Sequence, residues 1–595
     1  MYCYDHGNGN AIYRTEPENQ KLDPLAGVWT DAPLPPQYEI IPDEEAEMYL
    51  CALETARRAH KGQTDKAGRD YISHPVKVSS LTRGSFAAVI GALLHDVIED
   101  TEVTYEDLKN LGMSERVLAC VDSMTHRENE TREDYIARIA KNYDAVCVKL
   151  ADLTHNSDLS RIAEPSQKDY RRVERYRREF EYLSSVRREM EERFSRHCSE
   201  PHVIISRQGQ QFLEKGQMWM YANNAVFASA DCQDGGVVCI LGQDGTFIAR
   251  GFYSSCSHVT VRILSRDENE LIDREFFRLR IREAVSFRRT VERNNIGCCR
   301  MIFSEADRLP GLVADRYNDV LVTQISNMGF EKIRDMIYEI LLEEISGDGI
   351  PVKAVYERND IPSRAKEGLG QYTGFWNGTS AQCPAVIEEN GLKLYVDYIN
   401  GQKTGYFLDQ KSNRLLVRKM AYGHKVLDCF THTGGFALNA AMGEAEEVTA
   451  VDVSAAALEQ GLANAKLNHL ENRMRFVQAD VFEYLDSLEK GQFDFIILDP
   501  PAFTKSRKTV LKAYNGYKRI NRRAMELLAG GGYLATCSCS RYMETALFEQ
   551  MLKEAAAEAG VILRQVSVTQ QNADHPILWL MDETSYLKFF IFQII

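Results

Sequence analysis

The sequence predicts a multidomain chain: an all-α domain, a small β barrel, an α+β connecting domain and a doubly wound α/β domain. Three observations carry this reading. The chain has 595 residues, too many for one hydrophobic core. From Glu45 to about Ser199 apolar residues recur at helical spacing, as in Met48-Tyr-Leu-Cys-Ala-Leu and Ala87-Ala-Val-Ile-Gly-Ala-Leu-Leu. Beyond Leu392, strand-like runs such as Lys425-Val-Leu-Asp, Val448-Thr-Ala-Val-Asp and Phe493-Asp-Phe-Ile-Ile-Leu-Asp alternate with helical segments, the pattern of a parallel sheet.

Taken in order, residues 1–44 mix Gly, Asn, Pro and acidic residues without periodicity and read as a flexible arm. Residues 45–199 are helical and close on the charged stretch Lys168–Arg196, a solvated helix leading into a linker. Short β-type runs broken by glycine fill 200–275, among them Val203-Ile-Ile and Val259-Thr-Val-Arg-Ile-Leu. A mixed region spans 276–390, and the α/β domain takes 391–595. With 44% apolar and 26% charged residues the composition is that of an ordinary globular protein. Met1–Asn10 has no basic start followed by an apolar run, and nothing approaches eighteen consecutive apolar residues. A cytoplasmic protein without a membrane partner is therefore expected. The 14 cysteines follow no repeated spacing and read as reduced thiols, not as a disulfide framework or zinc site. The net charge of −15 weighs slightly against nucleic acid, although a whole-chain charge can conceal a basic face.

The α/β domain carries its chemistry at strand ends. Its first strand ends at Asp428 and runs through Cys-Phe-Thr-His-Thr-Gly434-Gly435-Phe into a helix, a turn where glycine admits close approach of a ligand. The next strand ends in Asp452, placed for ribose hydroxyls, and the third in Asp480, placed for an adenine amino group. The fourth ends in Asp499-Pro500-Pro501-Ala502-Phe503. Each Asp alone could be a helix cap, which accounts for one or two of them but not for the set. A dehydrogenase would carry G-x-G-x-x-G after the first strand, and that is absent.

Here the chain resembles a known family: the class I methyltransferases with a PUA domain that modify cytosine C5 in bacterial large-subunit ribosomal RNA. The matching stretches are Gly401-Gln-Lys-Thr-Gly-Tyr-Phe-Leu-Asp-Gln-Lys, Asp428-Cys-Phe-Thr-His-Thr-Gly-Gly-Phe, Asp499-Pro-Pro-Ala-Phe and Ser538-Cys-Ser. Leu309-Pro-Gly-Leu-Val-Ala-Asp-Arg-Tyr, Glu357-Arg-Asn-Asp and Gly216-Gln-Met-Trp-Met-Tyr also match, so the likeness runs from about 202 to 595. It implies a PUA-like domain over 200–275 and a Rossmann-like domain that binds S-adenosylmethionine through Lys403, Thr404, Asp428, Gly434, Gly435, Asp452, Asp480, Asp499 and Pro500. C5 of cytosine is a poor nucleophile until a thiolate adds to C6, and loss of the C5 proton later expels the thiol. Two thiols are candidates, Cys537 and Cys539. Related cytosine methyltransferases place the nucleophile seven residues after Gly-Gly, which selects Cys539 and leaves Cys537 as a packed strand thiol. Asp499 would hydrogen-bond the protonated N3, and Phe503 would stack on the flipped base. Ala502 stands where many cytosine methyltransferases carry a second cysteine, so the acceptor of the C5 proton has no name here.

Residues 505–523 hold Lys505, Arg507, Lys508, Lys512, Lys518, Arg519, Arg522 and Arg523 with Tyr514 and Tyr517 interleaved and no acidic residue. Cations mixed with aromatics beside the pocket suit unpaired RNA, with Lys518 and Arg519 as substrate contacts. A solvated helix face is the alternative.

In the helical domain, His74, the pair His95-Asp96 and Asp152 form a mixed N/O ligand set suited to Mn²⁺ or a similar ion, which generates hydroxide for phosphoester hydrolysis. The segment resembles the HD hydrolases related to the (p)ppGpp-degrading half of stringent-response enzymes. His60-Lys-Gly-Gln, Tyr71-Ile-Ser-His-Pro, Ala92-Leu-Leu-His-Asp-Val-Ile-Glu-Asp-Thr and Lys149-Leu-Ala-Asp-Leu-Thr-His-Asn carry the likeness. It implies that His74, His95, Asp96 and Asp152 bind the metal, that Glu99 and Asp100 position water, and that Asn156 touches a phosphorylated nucleotide such as (p)ppGpp. Asp65 replaces the arginine expected to stack on guanine, although Lys66 is kept, which implies relaxed selectivity for guanine.

The sequence thus supports a methyltransferase fused to an HD phosphohydrolase, with large-subunit ribosomal RNA as one partner. Two rivals stand beside it. One is a guanine-N7 methyltransferase of the same family, which needs no nucleophilic cysteine. The other is a nucleotide hydrolase whose C-terminal half only binds RNA or senses S-adenosylmethionine.

Overall fold

The computed structural model describes residues 43–65, 68–161, 166–196, 198–504 and 509–595, with side chains from Glu47 onward. It also describes the backbone of five short antiparallel strands, Tyr2–Tyr4, Ile12–Arg14, Gln20–Asp23, Val28–Asp31 and Glu39–Ile41. Of the arm expected over 1–44, residues 43–44 begin the helix Asp43–Ala59, and apart from these strands the remainder lies outside the described residues. Contacts gather the chain into two units, 1–270 with 365–369, and 271–364 with 370–595. The helical and small β segments share the first unit, and the connecting and α/β segments share the second.

In the first unit, helices α1 (Ser73–Leu81), α2 (Phe86–Leu94) and α3 (Tyr143–Asn156) form the centre of the helical part. Helix α2 is apolar all round, and every one of its residues is buried, as such a helix must be. Ser85 caps it by accepting the Ala88 N–H at 3.2 Å. Gly91 brings the helix Glu115–Met124 close, since a Cβ there would lie 2.7 Å from Cys120 Sγ. Helix α4 (Gln167–Arg196) buries only Leu183 and Phe194. Its outer face is laced by pairs such as Arg187–Glu191 at 2.8 Å and Arg196–Glu192 at 3.1 Å, the solvated helix that its composition predicts. It is nonetheless docked, not a free linker. Phe194 packs on Ile204, Cys239 and Leu241 of the following sheet. Arg116, paired with Asp144 at 2.6 Å, also donates to the carbonyl of Asn223 at 2.9 Å. That sheet has six strands in the order Trp219–Tyr221, Val259–Ser265, Phe247–Tyr253, Val237–Leu241, His202–Ile205 and Ala225–Ala228.

The second unit begins with helix Arg274–Val291 and a five-stranded sheet formed from Cys298–Phe303, Leu312–Tyr317, Val320–Ile325, Ala354–Asn359 and Tyr372–Phe375. The hairpin Ala385–Glu389 and Leu392–Val396 straddles the boundary expected at 390. Then come strands β1 (Lys425–Cys429), β2 (Glu447–Asp452), β3 (Met474–Gln478), β4 (Phe495–Leu498), β5 (Tyr533–Ser538), β6 (Leu563–Thr569) and β7 (Lys588–Ile594). Their order in the sheet is β3-β2-β1-β4-β5-β7-β6. All are parallel except β7, which runs against both β5 and β6. The expected parallel sheet therefore carries one reversed strand, because β6 returns to β7 through a loop without a crossover helix. Strand order reverses between β1 and β4, and a ligand crevice opens at such a switch point, beyond the carboxyl ends of the strands. Buried ion pairs tie the connecting segment to this sheet, with Lys411 Nζ lying 2.9 Å from Glu292 and 3.4 Å from Asp574. Among the described residues every cysteine is free, and no helix is long and apolar enough to cross a membrane.

Candidate active sites

The turn between β1 and helix α5 (Gly435–Met442) is built from residues in the left-handed region: Phe430 at φ 62°, His432 at 50° and Gly434 at 85°. Two of these carry side chains, and such strain persists where surrounding structure enforces it around a ligand. Asp428 enforces it. This wholly buried carboxylate accepts Thr431 Oγ1 at 2.5 Å and the Ala437 N–H at 2.9 Å through Oδ2. Its Oδ1 has no partner, and burial pushes its pKa up to about 7, against the Thr431 hydrogen bond. A buried acceptor without a donor beside a strained glycine turn fits the cationic methionine end of S-adenosylmethionine. Gly435 lies so close to Arg414 Cδ and the Tyr406 hydroxyl that a Cβ would stand 3.1 and 3.2 Å from them. Asp452, at the end of β2, accepts the His432 N–H and the Ser454 N–H, each at 2.9 Å. Asp480 caps the helix Val481–Asp486 instead, accepting the Phe482 and Glu483 N–H groups through Oδ1 at 2.8 and 3.2 Å. For this one Asp of the four, the capping alternative describes the geometry.

At the edges of β4 and β5, Asp499 and both cysteines come together. Asp499 Oδ1 accepts the Cys537 thiol at 2.9 Å and Gln410 Nε2 at 3.1 Å, and burial raises its pKa. Cys537 is wholly buried, and burial pushes its thiol far up. Cys539 stands one residue past the strand and is partly exposed. Burial raises it to about 11, with Lys403 the largest influence in the other direction. Lys403 Nζ lies 3.4 Å from Asp409 and over the Phe407 ring. Burial pushes Asp409 up, but Lys403, His575 and the Tyr586 hydroxyl outweigh it and hold the carboxyl low. Pro500 is buried beside Asp499. Asp409, Gln410 and Tyr586 escaped sequence reading as site residues, although Asp409 and Gln410 lie inside the quoted Gly401–Lys411 motif.

Three expected contacts meet side chains that already have partners. Thr404 is wholly buried and bonds Asp315 Oδ2 at 2.6 Å and the Tyr317 hydroxyl at 2.9 Å, so it anchors the Lys403 loop and has no hydroxyl left for a cofactor. Phe503 packs on Tyr517 with ring centroids 4.6 Å apart, which occupies part of the surface expected to stack on a base. The basic run becomes helix α6 (Val510–Leu527), and four of its cations face carboxylates. Lys518 pairs with Glu558 at 3.0 Å, Arg519 with Asp486 at 2.9 Å, Arg522 with Glu526 at 3.5 Å and Arg523 with Asp486 at 3.7 Å. These pairs make this face of α6 solvated and ion-paired. Lys505, Arg507 and Lys508 lie outside the described residues.

In the first unit, α1, the end of α2 and α3 bring His74, His95, Asp96 and Asp152 together. His74 Nε2 lies 3.4 Å from Asp96 and 3.3 Å from Asp152, and His95 Nε2 lies 3.1 Å from Asp96. The ligand atoms of His74, His95 and Asp96 fall within 4.8 Å of one another. His95 Nδ1 bonds the Ala92 carbonyl at 2.8 Å, while its buried Nε2 has no hydrogen-bond partner. A ring nitrogen held by a carbonyl orients the opposite nitrogen, here toward the Asp96 and Asp152 carboxylates at 3.1 and 3.8 Å. Glu99 accepts the His126 N–H at 2.9 Å and lines the adjoining cavity of about 330 Å³. Asp100 accepts the Tyr71 hydroxyl at 3.4 Å and lines a neighbouring groove. Asn156 lines the cavity, but its amide donates to Asp152 Oδ1 at 2.6 Å, so it orients that carboxylate where a nucleotide contact is expected. Asp65 also lines this cavity, and Lys66 lies outside the described residues. Tyr71, whose hydroxyl donates to Asp96 Oδ2 at 2.8 Å, and His155, 2.8 Å from His74 Nδ1, carried no role in the sequence.

Comparison with known proteins bears on the second unit and the small β sheet. Residues 374–593 match a family described as S-adenosylmethionine-dependent methyltransferase, and residues 203–266 match a PUA-like domain. The chain is 40% identical over 374 residues to ribosomal RNA large subunit methyltransferase I of Aeromonas salmonicida, covering 62% of this chain and 93% of that protein. It is 36% identical over 399 residues to the protein of the same name from Aliivibrio fischeri, covering 66% and 99%. Among solved structures, a putative S-adenosylmethionine-dependent methyltransferase from Streptococcus mutans shares the fold, with TM-score 0.56, 22% identity, 66% of this chain and 99% of that one.

Proposed function

Since the chain belongs to the ribosomal RNA large subunit methyltransferase I family, we propose that its second unit methylates C5 of a cytosine in large-subunit ribosomal RNA, with Cys539 as nucleophile. The observation that carries the cytosine reading is the contrast between the two thiols. Cys537 is wholly buried and held by Asp499, whereas Cys539 lies past the strand with part of its surface accessible. S-adenosylmethionine supplies an electrophilic methyl group when bound. Asp428, Asp452 and the Gly434-Gly435 turn would hold it. The Lys403 ammonium favours the Cys539 thiolate, which adds to C6 and makes C5 nucleophilic. Asp499, oriented by Gln410, keeps the proton on N3 of the adduct. Once C5 carries the methyl group, its proton passes to water, and the returning electron pair breaks the C6–S bond and frees the Cys539 thiolate. A ribosomal substrate fits a cytoplasmic location. Mass spectrometry of ribosomal RNA nucleosides from cells lacking the protein tests the reading. Loss of one 5-methylcytosine is expected, and loss of a 7-methylguanine instead would overturn it.

For the first unit the proposed activity is metal-dependent hydrolysis of a phosphorylated nucleotide, of the HD type. The convergence of His74, His95 and Asp96, whose ligand atoms lie within 4.8 Å of one another beside Asp152, carries it. These four residues would hold a divalent ion such as Mn²⁺, which supplies hydroxide at neutral pH. Glu99 would orient the attacking water. Arg132, Lys149 and Arg172 line the same cavity, each paired with a carboxylate: Glu179 at 2.8 Å, Asp152 at 2.8 Å and Asp169 at 3.1 Å. Asp65 in that lining favours relaxed base selectivity over a strict preference for (p)ppGpp. Mn²⁺ titration of the full chain, with (p)ppGpp and other phosphorylated nucleotides compared in one assay, tests both statements. Absence of Mn²⁺ binding would remove the hydrolase, and strong preference for (p)ppGpp would remove the relaxed selectivity.

A further inference from the structure

The long loop between β6 and β7, residues 570–587, lies at the catalytic edge of the second unit. Its start is fixed where the Asn572 N–H donates to the Asp409 carbonyl at 2.8 Å. Its end is fixed where the Tyr586 hydroxyl donates to Asp409 Oδ2 at 2.7 Å and Lys588 Nζ to the Ser540 carbonyl at 2.7 Å. Inside the loop, Gln571 Nε2 donates to the Thr584 carbonyl at 2.6 Å, the Met581 N–H to the Leu578 carbonyl at 2.9 Å and Thr584 Oγ1 to the Met581 carbonyl at 2.8 Å. Met581 is buried at 1% exposure. On this held backbone Trp579 stands 93% exposed, with Leu580 beside it at 66%. A tryptophan carries a large apolar surface and is seldom left almost wholly in water.

The neighbouring segment at the same edge supplies complementary chemistry. Register pairs Ser538 of β5 with Lys588 of β7, so the residues following Cys539 leave the sheet beside the loop that carries Trp579. Immediately past Cys539 and Ser540, exposed Arg541 lies over the Tyr542 ring, 5.1 Å from its centroid. Among the described residues Arg541 has no carboxylate partner, in contrast to Lys518, Arg519, Arg522 and Arg523 of α6.

We propose that Trp579, together with Arg541 stacked on Tyr542, forms the rim that holds the unpaired RNA strand on either side of the target base. This rests on the reading of the second unit as an RNA cytosine methyltransferase. Such an enzyme must take its base out of the stack, which leaves neighbouring bases without partners. An exposed indole on a fixed loop gives one of them a face, and an unpaired guanidinium beside the nucleophile meets the backbone phosphate. The RNA path thus crosses the β5 and β7 edge and does not follow α6.

The test uses the full chain and a ribosomal RNA fragment that the unaltered protein methylates. Trp579→Ala raises the KM for RNA about 5- to 100-fold, the range of one lost base stack, while S-adenosylmethionine binding is retained. Trp579→Phe recovers most of the loss. Binding of RNA quenches tryptophan fluorescence, and Trp579→Phe removes that quench. Arg541→Gln reduces the slope of log affinity against log salt by about 0.7, one single-strand phosphate contact. Unchanged KM, quench and salt slope would overturn the rim, as would a change of oligomeric state in Trp579→Ala with RNA affinity intact, which marks a protein interface. If the unaltered protein methylates no ribosomal RNA cytosine, the functional reading itself fails, a result distinct from either.

Discussion

Cys537 and Cys539 are two residues apart on one strand and its exit, and their surroundings divide the work between them. Cys537 donates to Asp499 and is closed off, so its replacement by Ala removes a hydrogen bond and a little volume. Cys539→Ala is expected to lower methyl transfer at least about 10³-fold with S-adenosylmethionine binding intact, and Cys537→Ala to cost far less. Single-turnover assays of both variants decide this, and equal losses would refute the assignment. Asp428 yields a second prediction because its site disfavours charge. Its pKa rises from 3.8 to about 7 by burial. Between those values the folded chain keeps a proton that the unfolded chain releases, so stability falls as pH rises through this window. Asp428→Asn cannot titrate. It is expected to stabilise the ligand-free second unit above pH 7, by up to about 4 kcal/mol, to lose that advantage near pH 4, and to weaken S-adenosylmethionine binding. Melting curves at pH 8 and pH 4 with and without ligand measure each part. A fall in stability at pH 8 would contradict it. Asp428 and Asp452 lie in the last two residues of β1 and β2 and Asp499 directly follows β4, positions that period and punctuation make readable in the sequence. The bonds of Thr404 to Asp315 and of Asn156 to Asp152 were not readable, because a motif gives residue type but not the direction of a hydroxyl or amide.

Helix α6 shows the same limit one scale up. Its basic residues form a run in the sequence, yet their partners lie elsewhere: Glu558 on the helix Thr545–Ala559, and Asp486 at the end of the helix Val481–Asp486. A local charge count cannot include groups brought in by tertiary packing. Substituting Glu at Lys518, Arg519, Arg522 and Arg523 together places like charges against Glu526, Glu554, Glu558 and Asp486. The expected result is a melting temperature lower by a few degrees, with RNA affinity and its salt slope nearly unchanged. A marked loss of affinity and a flatter salt slope would restore α6 as the RNA track. Other elements were fully legible. Helix α2 declares itself by an unbroken apolar run after a Ser cap, and α4 by its dense alternating charges. The reversal of β7 was not legible, since strand direction depends on a connection whose fixed loop has no periodic signal.

At the scale of the whole molecule, the expected segments resolve into two units, each with its own core and its own candidate site. Boundaries drawn from composition at 199 and 390 marked changes of element type, not of packing. Helix α4 packs into the small β sheet through Phe194, and Lys411 binds the connecting segment to the methyltransferase sheet through Glu292 and Asp574. Separate cores predict separable activities. No residue of the His74, His95, Asp96 and Asp152 cluster belongs to the unit that holds Cys539. Asp96→Ala removes a ligand from the cluster and is expected to abolish Mn²⁺ binding and nucleotide hydrolysis while methyl transfer to ribosomal RNA continues at the unaltered rate. Glu99→Gln is expected to keep the ion and lose turnover, because its role is to orient water and not to bind metal. Cys539→Ala is expected to do the reverse of Asp96→Ala, losing methyl transfer and keeping hydrolysis. Both activities measured on all three full-length variants form the decisive set. If Asp96→Ala also lowers methyl transfer, or if Mn²⁺ changes the KM for RNA, the two sites share a free energy of coupling and the fusion is a regulated enzyme, not two enzymes on one chain.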